Sequence, residues 1–133
     1  MEKISYSNTE IDRFLIPKKN QLKKCLKPIH EARGIPNDYY IRPECFEMEG
    51  EHLFNKGWFA IGFVKDLPQP GSVKPVNYFK NPLLLIRSTQ DKKIRVFQNV
   101  CRHRGMTLIE EPAVLKGAIR CPYHSWCYKQ TGE

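Results

Sequence analysis

The sequence predicts a mostly β protein, built from small antiparallel sheets and preceded by an N-terminal helical arm. Short apolar runs rich in valine, isoleucine and aromatic residues recur from residue 58 onward, which is typical of strands. Clusters of proline, glycine and aspartate separate these runs and indicate turns. A length of 133 residues suits one domain. We assign residues 1–36 to the arm and residues 37–133 to the folded domain.

The arm is polar and rich in lysine. One helix is predicted within it, over residues 18–33. Gly34 and Pro36 are expected to end this helix, because neither residue continues a helix well.

A second helix is predicted from Pro43, which suits a first helical position, to the residue before Gly57, which suits the position just past a helix end. Apolar residues at helical spacing form one face of it, and we expect this face to pack. Its members are Phe46, Gly50, Leu53 and Phe54.

From Trp58 onward the pattern is that of strands and turns. The predicted strands cover 58–64, 74–79, 82–88, 93–100 and the segment KGAIRC at 116–121, and a last one begins in WCYKQTGE at 126–133. Turns are predicted at DLPQPG and TQDK. The last segment enters a hairpin turn with no return strand, so we expect the domain to be C-terminally incomplete.

Composition limits the possible classes of protein. The hydrophobic share of 41% and the charged share of 27% suit a soluble globular protein. Neither a signal peptide nor a membrane-spanning stretch is recognisable, so we expect the cytoplasm. The chain has five cysteines. Because the cytoplasm is reducing, we expect them to stay as thiols that are available for metal binding or packing. The net charge is +8, but the basic run at 17–28 has no interleaved aromatics, which argues against a nucleic-acid partner.

Two Cys/His pairs are the main functional signal. Cys101 and His103 lie one residue apart, Cys121 and His124 lie two apart, and 17 residues separate the pairs. Each pair follows a predicted strand. Two such loops can hold a [2Fe-2S] cluster, with both cysteines on one iron and both histidines on the other.

The mixed ligands change the charge of such a cluster. An oxidised core of about +2 becomes about −2 with four thiolates but about zero with two thiolates and two neutral imidazoles. Reduction is therefore easier, and potentials of this Rieske ligand set span roughly −150 to +300 mV. Structural zinc is the alternative for two cysteines and two histidines, but zinc sites usually pair their thiols as CxxC.

The segments NVCRHRG at 99–105 and CPYHSW at 121–126 resemble the two Rieske boxes of oxygenase α-subunits, the large subunits of ring-hydroxylating dioxygenases and related monooxygenases. The resemblance extends upstream through YYIRPECFEMEGEHLFNKGWFAIGFVKDLPQPGSV and covers roughly residues 30–133. It implies that Cys101, His103, Cys121 and His124 ligate the cluster. One departure is Ser125, where the family most often has glycine; a positive φ there would cost serine about 1 kcal/mol.

The boxes also distinguish two kinds of Rieske protein. In the respiratory kind each box contains an extra cysteine, and these two cysteines form a disulfide. A serine hydroxyl also lies near the cluster. Here Met106, Tyr123 and Trp126 stand in those places. Both features are missing, so a potential near the low end of the range is expected. The resemblance implies electrons from a flavin reductase, directly or through a ferredoxin.

Residues beside the boxes have two possible roles. Arg102 and Arg104 either donate hydrogen bonds near the cluster or are solvated surface charges. Trp126 and Tyr128 share one face of the last strand and are expected to cover the cluster and fill the core.

The remaining cysteines and histidines are expected to bind no metal. Cys25, Cys45 and Cys127 are interpreted as small buried apolar residues. His30 and His52 are interpreted as ordinary surface or cap residues, because neither has a partner at ligand spacing.

The resemblance implies an oxygenase whose mononuclear Fe(II), held by two histidines and a carboxylate, activates dioxygen. With His103 and His124 on the cluster, His30 and His52 cannot supply that site, so we interpret the chain as an N-terminal fragment of a longer oxygenase. The family implies a homotrimer and an aromatic or quaternary-amine substrate. A stand-alone Rieske ferredoxin is the alternative, but about 100 residues before the first box favour the α-subunit.

Overall fold

A computed structural model describes residues 19–133. The chain divides into two compact units, Met1–Phe59 and Ala60–Glu133. In the part of the chain that the structure describes, no helix is long and apolar enough to cross a membrane.

The first described helix is shorter than predicted. Helix α1 covers Lys19–Leu22 and continues as a 3₁₀ turn over Lys23–Leu26. The prediction of a helix to residue 33 is wrong, because Pro28 forces the preceding Lys27 into an extended conformation with φ −72° and ψ 164°. Residue 18, the predicted start, lies outside the described residues.

A short helix that was not predicted, α2, covers Asp38–Ile41. The second predicted helix follows it in two pieces: α3 covers Pro43–Glu49, and a π-helical turn covers Gly50–Phe54. Pro43 occupies the predicted first helical position.

The prediction of a packed face on this helix is wrong for two of its four members. Phe46 and Leu53 are exposed, whereas Cys45 is buried. The π turn explains part of this difference: Asn55 N donates to Gly50 O, five residues back. Side chains beyond Gly50 therefore no longer follow the 3.6-residue period.

The second unit begins with an apolar segment that forms no strand. The predicted strand at 58–64 is absent, and a 3₁₀ turn covers Val64–Asp66 instead. The Asp66 carboxylate accepts a hydrogen bond of 3.0 Å from Phe63 N and pairs with Lys74 Nζ at 3.0 Å. Phe63 and Val64 are exposed, and among the described residues no strand pairs with this run.

A four-stranded antiparallel sheet forms the body of the second unit, with strand order β3-β2-β1-β4. Strand β1 covers Ser72–Tyr78, β2 covers Asn81–Arg87, β3 covers Ile94–Gln98, and β4 covers Ala113–Val114. The first three match predicted strands, and the turn predicted at 89–92 joins β2 to β3. Strand β4 was not predicted, since two residues carry no periodic signal.

A two-stranded antiparallel sheet pairs β5, Ile119–Arg120, with β6, Cys127–Tyr128. Both strands lie within predicted segments. A tight turn follows β6, in which Lys129 N donates to Glu133 O at 2.7 Å. The protein is mainly antiparallel β with few helices, so the predicted fold class is confirmed.

One hydrophobic core lies under both Cys/His segments. Its buried members come from β1, β2, β5 and the loops between strands, and they are Val73, Leu84, Ile86, Cys101, Leu108, Ile119 and Cys121. The two candidate cysteine ligands are thus part of the core, which fixes their positions by packing.

Candidate metal centre

The first Cys/His pair lies in loop 1, residues 99–109, directly after β3. Cys101 N donates to Met106 O at 2.7 Å, and Gly105 N donates to Cys101 O at 2.9 Å. An isolated antiparallel β-bridge pairs Val100 with Thr107, just outside these two hydrogen bonds, and brings the two sides of the loop together. Loop 1 is therefore a tight hairpin with Cys101 at its base.

The second pair lies in loop 2, residues 121–126, between β5 and β6. Cys121 N donates to Trp126 O at 2.8 Å, and Ser125 N donates to Cys121 O at 3.0 Å. In both loops the cysteine thus bonds through its backbone to the residues four and five positions further on. The two loops have the same local fold despite the different Cys-to-His spacing.

The fourth residue after each cysteine has a left-handed backbone. Gly105 has φ 71° and Ser125 has φ 60°. The positive φ considered for Ser125 from the sequence is therefore present. A side chain costs energy in this region, whereas glycine adopts it readily.

Replacing Ser125 with glycine is expected to raise the free energy of unfolding by about 1 kcal/mol, because the strain exceeds the extra flexibility of glycine in the unfolded chain. Urea unfolding measures this difference. The matched variant Gly105→Ala should lose a similar amount: no atom lies within 4 Å of the added Cβ, so only backbone strain acts. A Ser125→Gly chain less stable than the original would contradict this prediction.

The cysteine side of the site is buried. Cys101 and Cys121 are each 2% exposed. The Tyr128 hydroxyl lies 3.1 Å from Cys101 Sγ. This hydrogen bond is the main cause that lowers the pKa of the Cys101 thiol, and backbone N–H groups of loop 1 and the Cys121 side chain add to it against the effect of burial. The environment of Cys101 favours a thiolate, the form that binds metals.

The histidine side of the site faces outward. Both imidazoles are exposed, and their ring centroids lie 5.0 Å apart. The Trp126 ring stacks on His103 at 4.8 Å and 4°. The Tyr123 ring lies 3.7 Å from that of His124. Trp126 is 49% and Tyr123 is 57% exposed, so two aromatic rings flank the histidines and reach the surface.

This arrangement fits a cluster that takes two ligands on each iron. The two thiols are close enough for their side chains to interact, and the two imidazoles form a second pair beside them. Among the described residues, no three histidine, cysteine, aspartate or glutamate side chains are grouped around one ion position. Two soft sulfur donors and two nitrogen donors, sorted into separate pairs, are the donor set of a mixed-ligand [2Fe-2S] centre.

The expected neighbours of the site take different roles. Tyr128 contacts Cys101, as a covering residue should. Trp126 covers His103 but is half exposed, so the expectation that it also fills the core is wrong. Arg102 contributes its backbone N–H, which donates to the Tyr128 hydroxyl at 3.0 Å, and the backbone N–H of Arg104 bonds to Cys101. Both arginine residues are exposed.

The remaining cysteines and histidines are not among the four candidate ligands; Cys127 directly follows loop 2, and the others lie far from both loops in the sequence. Cys45 is buried as predicted and Cys25 is half-buried, but Cys127 is exposed, which corrects its interpretation as a buried residue. The Cys127 thiol donates to Ser125 O at 3.2 Å. His52 contacts Met48 O at 3.1 Å within its own helix, and His30 lies 3.7 Å from Glu31 on the surface.

Sequence reasoning missed two buried carboxamides that hold the loops. Asn99 Nδ2 donates to Ile109 O at 2.6 Å, and Asn99 Oδ1 accepts from Ile109 N at 3.0 Å. Gln130 likewise uses both ends of its amide: Oε1 accepts a hydrogen bond from Thr89 N, and Nε2 donates one to Gly117 O. The position of Asn99, two residues before Cys101, could have suggested this role, because a buried polar side chain at the end of a strand needs a hydrogen-bond partner. Nothing in the sequence around Gln130 suggested its role.

Comparison with known proteins agrees with this geometry. Residues 57–133 match the family described as "Rieske [2Fe-2S] domain". The glycine betaine monooxygenase oxygenase subunit of Pseudomonas aeruginosa is 30% identical over 119 residues, which cover 90% of this chain. The same alignment covers only 28% of that relative, so this chain spans less than a third of its length.

Two solved structures are similar. The quaternary ammonium Rieske monooxygenase CntA, described with carnitine oxidation and inter-subunit electron transfer, matches with a TM-score of 0.66 and 33% identity over 72% of this chain and 26% of its own. Naphthalene 1,2-dioxygenase from Rhodococcus sp. matches with a TM-score of 0.72 and 28% identity over 86% of this chain and 26% of its own. Both are oxygenases with a Rieske-type fold in the matched part.

Proposed function

This chain belongs to the Rieske [2Fe-2S] domain family, as found in oxygenase α-subunits, and from this premise we propose that it is the electron-accepting domain of such an oxygenase. Cys101 and Cys121 hold one iron of the cluster, and His103 and His124 hold the other. When bound, a cluster of this kind takes up and releases one electron.

The observation that carries this proposal is the sorting of the four candidate ligands by depth. Both cysteines are 2% exposed, whereas both histidines are exposed. The core therefore holds the sulfur side rigidly, and the imidazole side reaches the surface. A redox partner can approach the histidines closely without unfolding the domain.

The partners follow from the surface and from the relatives. Arg102, Arg104 and Arg120 are exposed near the site in the sequence, and the net charge is +8. We infer an acidic electron donor, a flavin reductase acting directly or through a ferredoxin. Homotrimer formation, which would place the mononuclear Fe(II) of one subunit near the cluster of another, is proposed with it.

The substrate is proposed to be a quaternary amine or an aromatic compound. The relatives include a glycine betaine monooxygenase subunit and a naphthalene dioxygenase. The chain contains four histidines, and the cluster takes His103 and His124. His30 lies beside Glu31 on the surface and His52 contacts Met48 O, so we propose that neither holds a mononuclear iron and that its histidines come from outside this chain. We also propose a cytoplasmic location, which agrees with cysteines that form no disulfide.

The domain limits are part of this proposal. We propose residues 37–133 as the Rieske domain and residues 1–36 as an arm. The family match over 57–133 supports the larger part of that domain.

Reduction by a flavin reductase tests the function. The reconstituted chain, given NADH, reductase and oxygen, is expected to be reduced but to convert neither glycine betaine, carnitine nor naphthalene. Visible absorbance reports reduction, and chromatography reports products. A chain that turns over substrate by itself contradicts the proposal, and so does a cluster-loaded chain that no reductase reduces.

A stand-alone electron carrier is the second candidate. The exposure of His103 and His124 favours an electron carrier as much as an oxygenase domain, because a carrier also needs surface access to its cluster. Adding a separately prepared oxygenase component discriminates the two functions: a carrier restores product formation in trans, whereas an oxygenase domain does not.

A further inference from the structure

Four polar side chains are buried among the described residues: Ser72, Ser88, Asn99 and Gln130. Two of them are carboxamides, and each uses both ends of its amide. Burying a carboxamide is costly unless its donor and acceptor are both bonded. Such fully bonded groups therefore fix the segments that they join.

Gln130 joins two separate segments. It is 2% exposed, its Oε1 accepts from Thr89 N at 2.7 Å, and its Nε2 donates to Gly117 O at 2.7 Å. Thr89 lies in the turn between β2 and β3, and Gly117 precedes β5. Gln130 thus ties the end of β6 both to the four-stranded sheet and to the segment that leads into loop 2.

Tyr128, two residues before Gln130, makes a contact that crosses between the loops. Its hydroxyl comes from β6, after loop 2, yet it lies 3.1 Å from Cys101 Sγ in loop 1. The same oxygen accepts from Arg102 N at 3.0 Å. Since that bond uses an acceptor position, the hydroxyl hydrogen remains available for the sulfur.

The length of this contact depends on where β6 lies relative to loop 1. Strand β6 has two residues and pairs only with β5, so backbone pairing alone holds it weakly. The core contact of the Tyr128 ring and the Gln130 amide supply the remaining restraint. A donor to a cysteine ligand stabilises the reduced, more negative state and so raises the reduction potential.

We propose that Gln130 is a positioning residue for the cluster: its buried amide holds β6 so that the Tyr128 hydroxyl donates to Cys101 Sγ. This rests on the proposed function, because it requires a cluster on Cys101. The side-chain hydrogen bonds of Gln130 go to Thr89 N and Gly117 O and not to any of the four ligands, so we place its effect on the cluster through Tyr128.

A double-mutant cycle on the reconstituted chain tests this. Tyr128→Phe should reduce the equilibrium constant for one-electron reduction about tenfold, which is 59 mV. Gln130→Met, which keeps length and removes both hydrogen bonds, should reduce it several-fold. The double variant should match Tyr128→Phe alone. Redox titration followed by visible absorbance gives each potential.

Ser72→Ala is the matched control. Ser72 is 3% exposed, and its hydroxyl accepts from Gln69 N at 3.2 Å, so its loss destabilises the fold without moving β6. Its potential should equal that of the original chain. A shift as large as that of Gln130→Met would mean that general destabilisation, not positioning, changes the potential.

The inference is also overturned by an unchanged potential in Gln130→Met, or by shifts that add in the double variant. If Gln130→Met binds no cluster, Gln130→Glu replaces it, because glutamate keeps the acceptor for Thr89 N and loses the donor to Gly117 O. An unchanged potential there also overturns it. Absence of a cluster in the original chain would instead refute the proposed function.

Discussion

The Cys101→Ala chain is expected to contain no [2Fe-2S] cluster after anaerobic reconstitution. Alanine leaves one iron with a single thiolate, and it also removes the partner of the Tyr128 hydroxyl at 3.1 Å. The loss should be complete, because both thiolates are needed to complete the coordination of that iron. Iron and acid-labile sulfide analysis, with the visible spectrum, measures the outcome.

Cys127→Ala is the matched control for this experiment. Cys127 lies next to loop 2 and is exposed, and its thiol bonds only to Ser125 O among the described residues. This variant should retain two irons and two sulfides. Retention of a full cluster by Cys101→Ala, or its loss from Cys127→Ala, would show that the ligands are assigned wrongly.

The Asn99→Ala variant is expected to lose about 2 kcal/mol of unfolding free energy. The Asn99 amide bonds both the N–H and the C=O of Ile109, and alanine leaves both groups without these partners. Because both bonds are only partly buried, each loss lies at the low end of the range of about 1 to 3 kcal/mol for a buried group. Because these bonds close loop 1 around Cys101, a chelator should also remove iron from this variant faster. Urea unfolding and the rate of iron loss measure the two effects.

Asn77→Ala serves as the comparison, since Asn77 lies on β1 and is exposed. Its stability should stay within about 0.5 kcal/mol of the original. If Asn99→Ala were equally stable and lost iron no faster, the asparagine would not hold loop 1.

Local sequence signals predicted the parts of this fold that local chemistry decides. Three strands of the sheet were predicted correctly, because turn residues such as proline, glycine and aspartate mark the two ends of each apolar run. The predictions failed where the structure of a segment depends on residues far away in the sequence. The run at 58–64 has the apolar pattern of a strand, but no strand in the part of the chain that the structure describes pairs with it, and β4 is too short to produce a pattern.

The site shows the same division. The spacing singled out Cys101, His103, Cys121 and His124 as candidate ligands. The structure brings the two thiols together and the two imidazoles together, because each Cys/His pair lies within one short loop. The contact between Cys101 and Tyr128 joins residues 27 positions apart, and Gln130 bonds a residue 41 positions away. No spacing rule predicts such contacts. Trp126 stands where the respiratory kind has its serine hydroxyl, and the Tyr128 hydroxyl, which was not predicted as a hydrogen-bond donor, lies 3.1 Å from Cys101 Sγ.

Electron paramagnetic resonance of the reduced chain, with metal and sulfide analysis of the same sample, tests whether the four candidate ligands hold a Rieske cluster. We expect two irons and two sulfides per chain and a Rieske-type signal with a low average g value. Pulsed measurements should detect two coordinated histidine nitrogens in the original chain and lose this signature in His103→Ala and His124→Ala. One zinc per chain without sulfide, or a cluster without nitrogen ligands, would show that these residues hold no Rieske cluster.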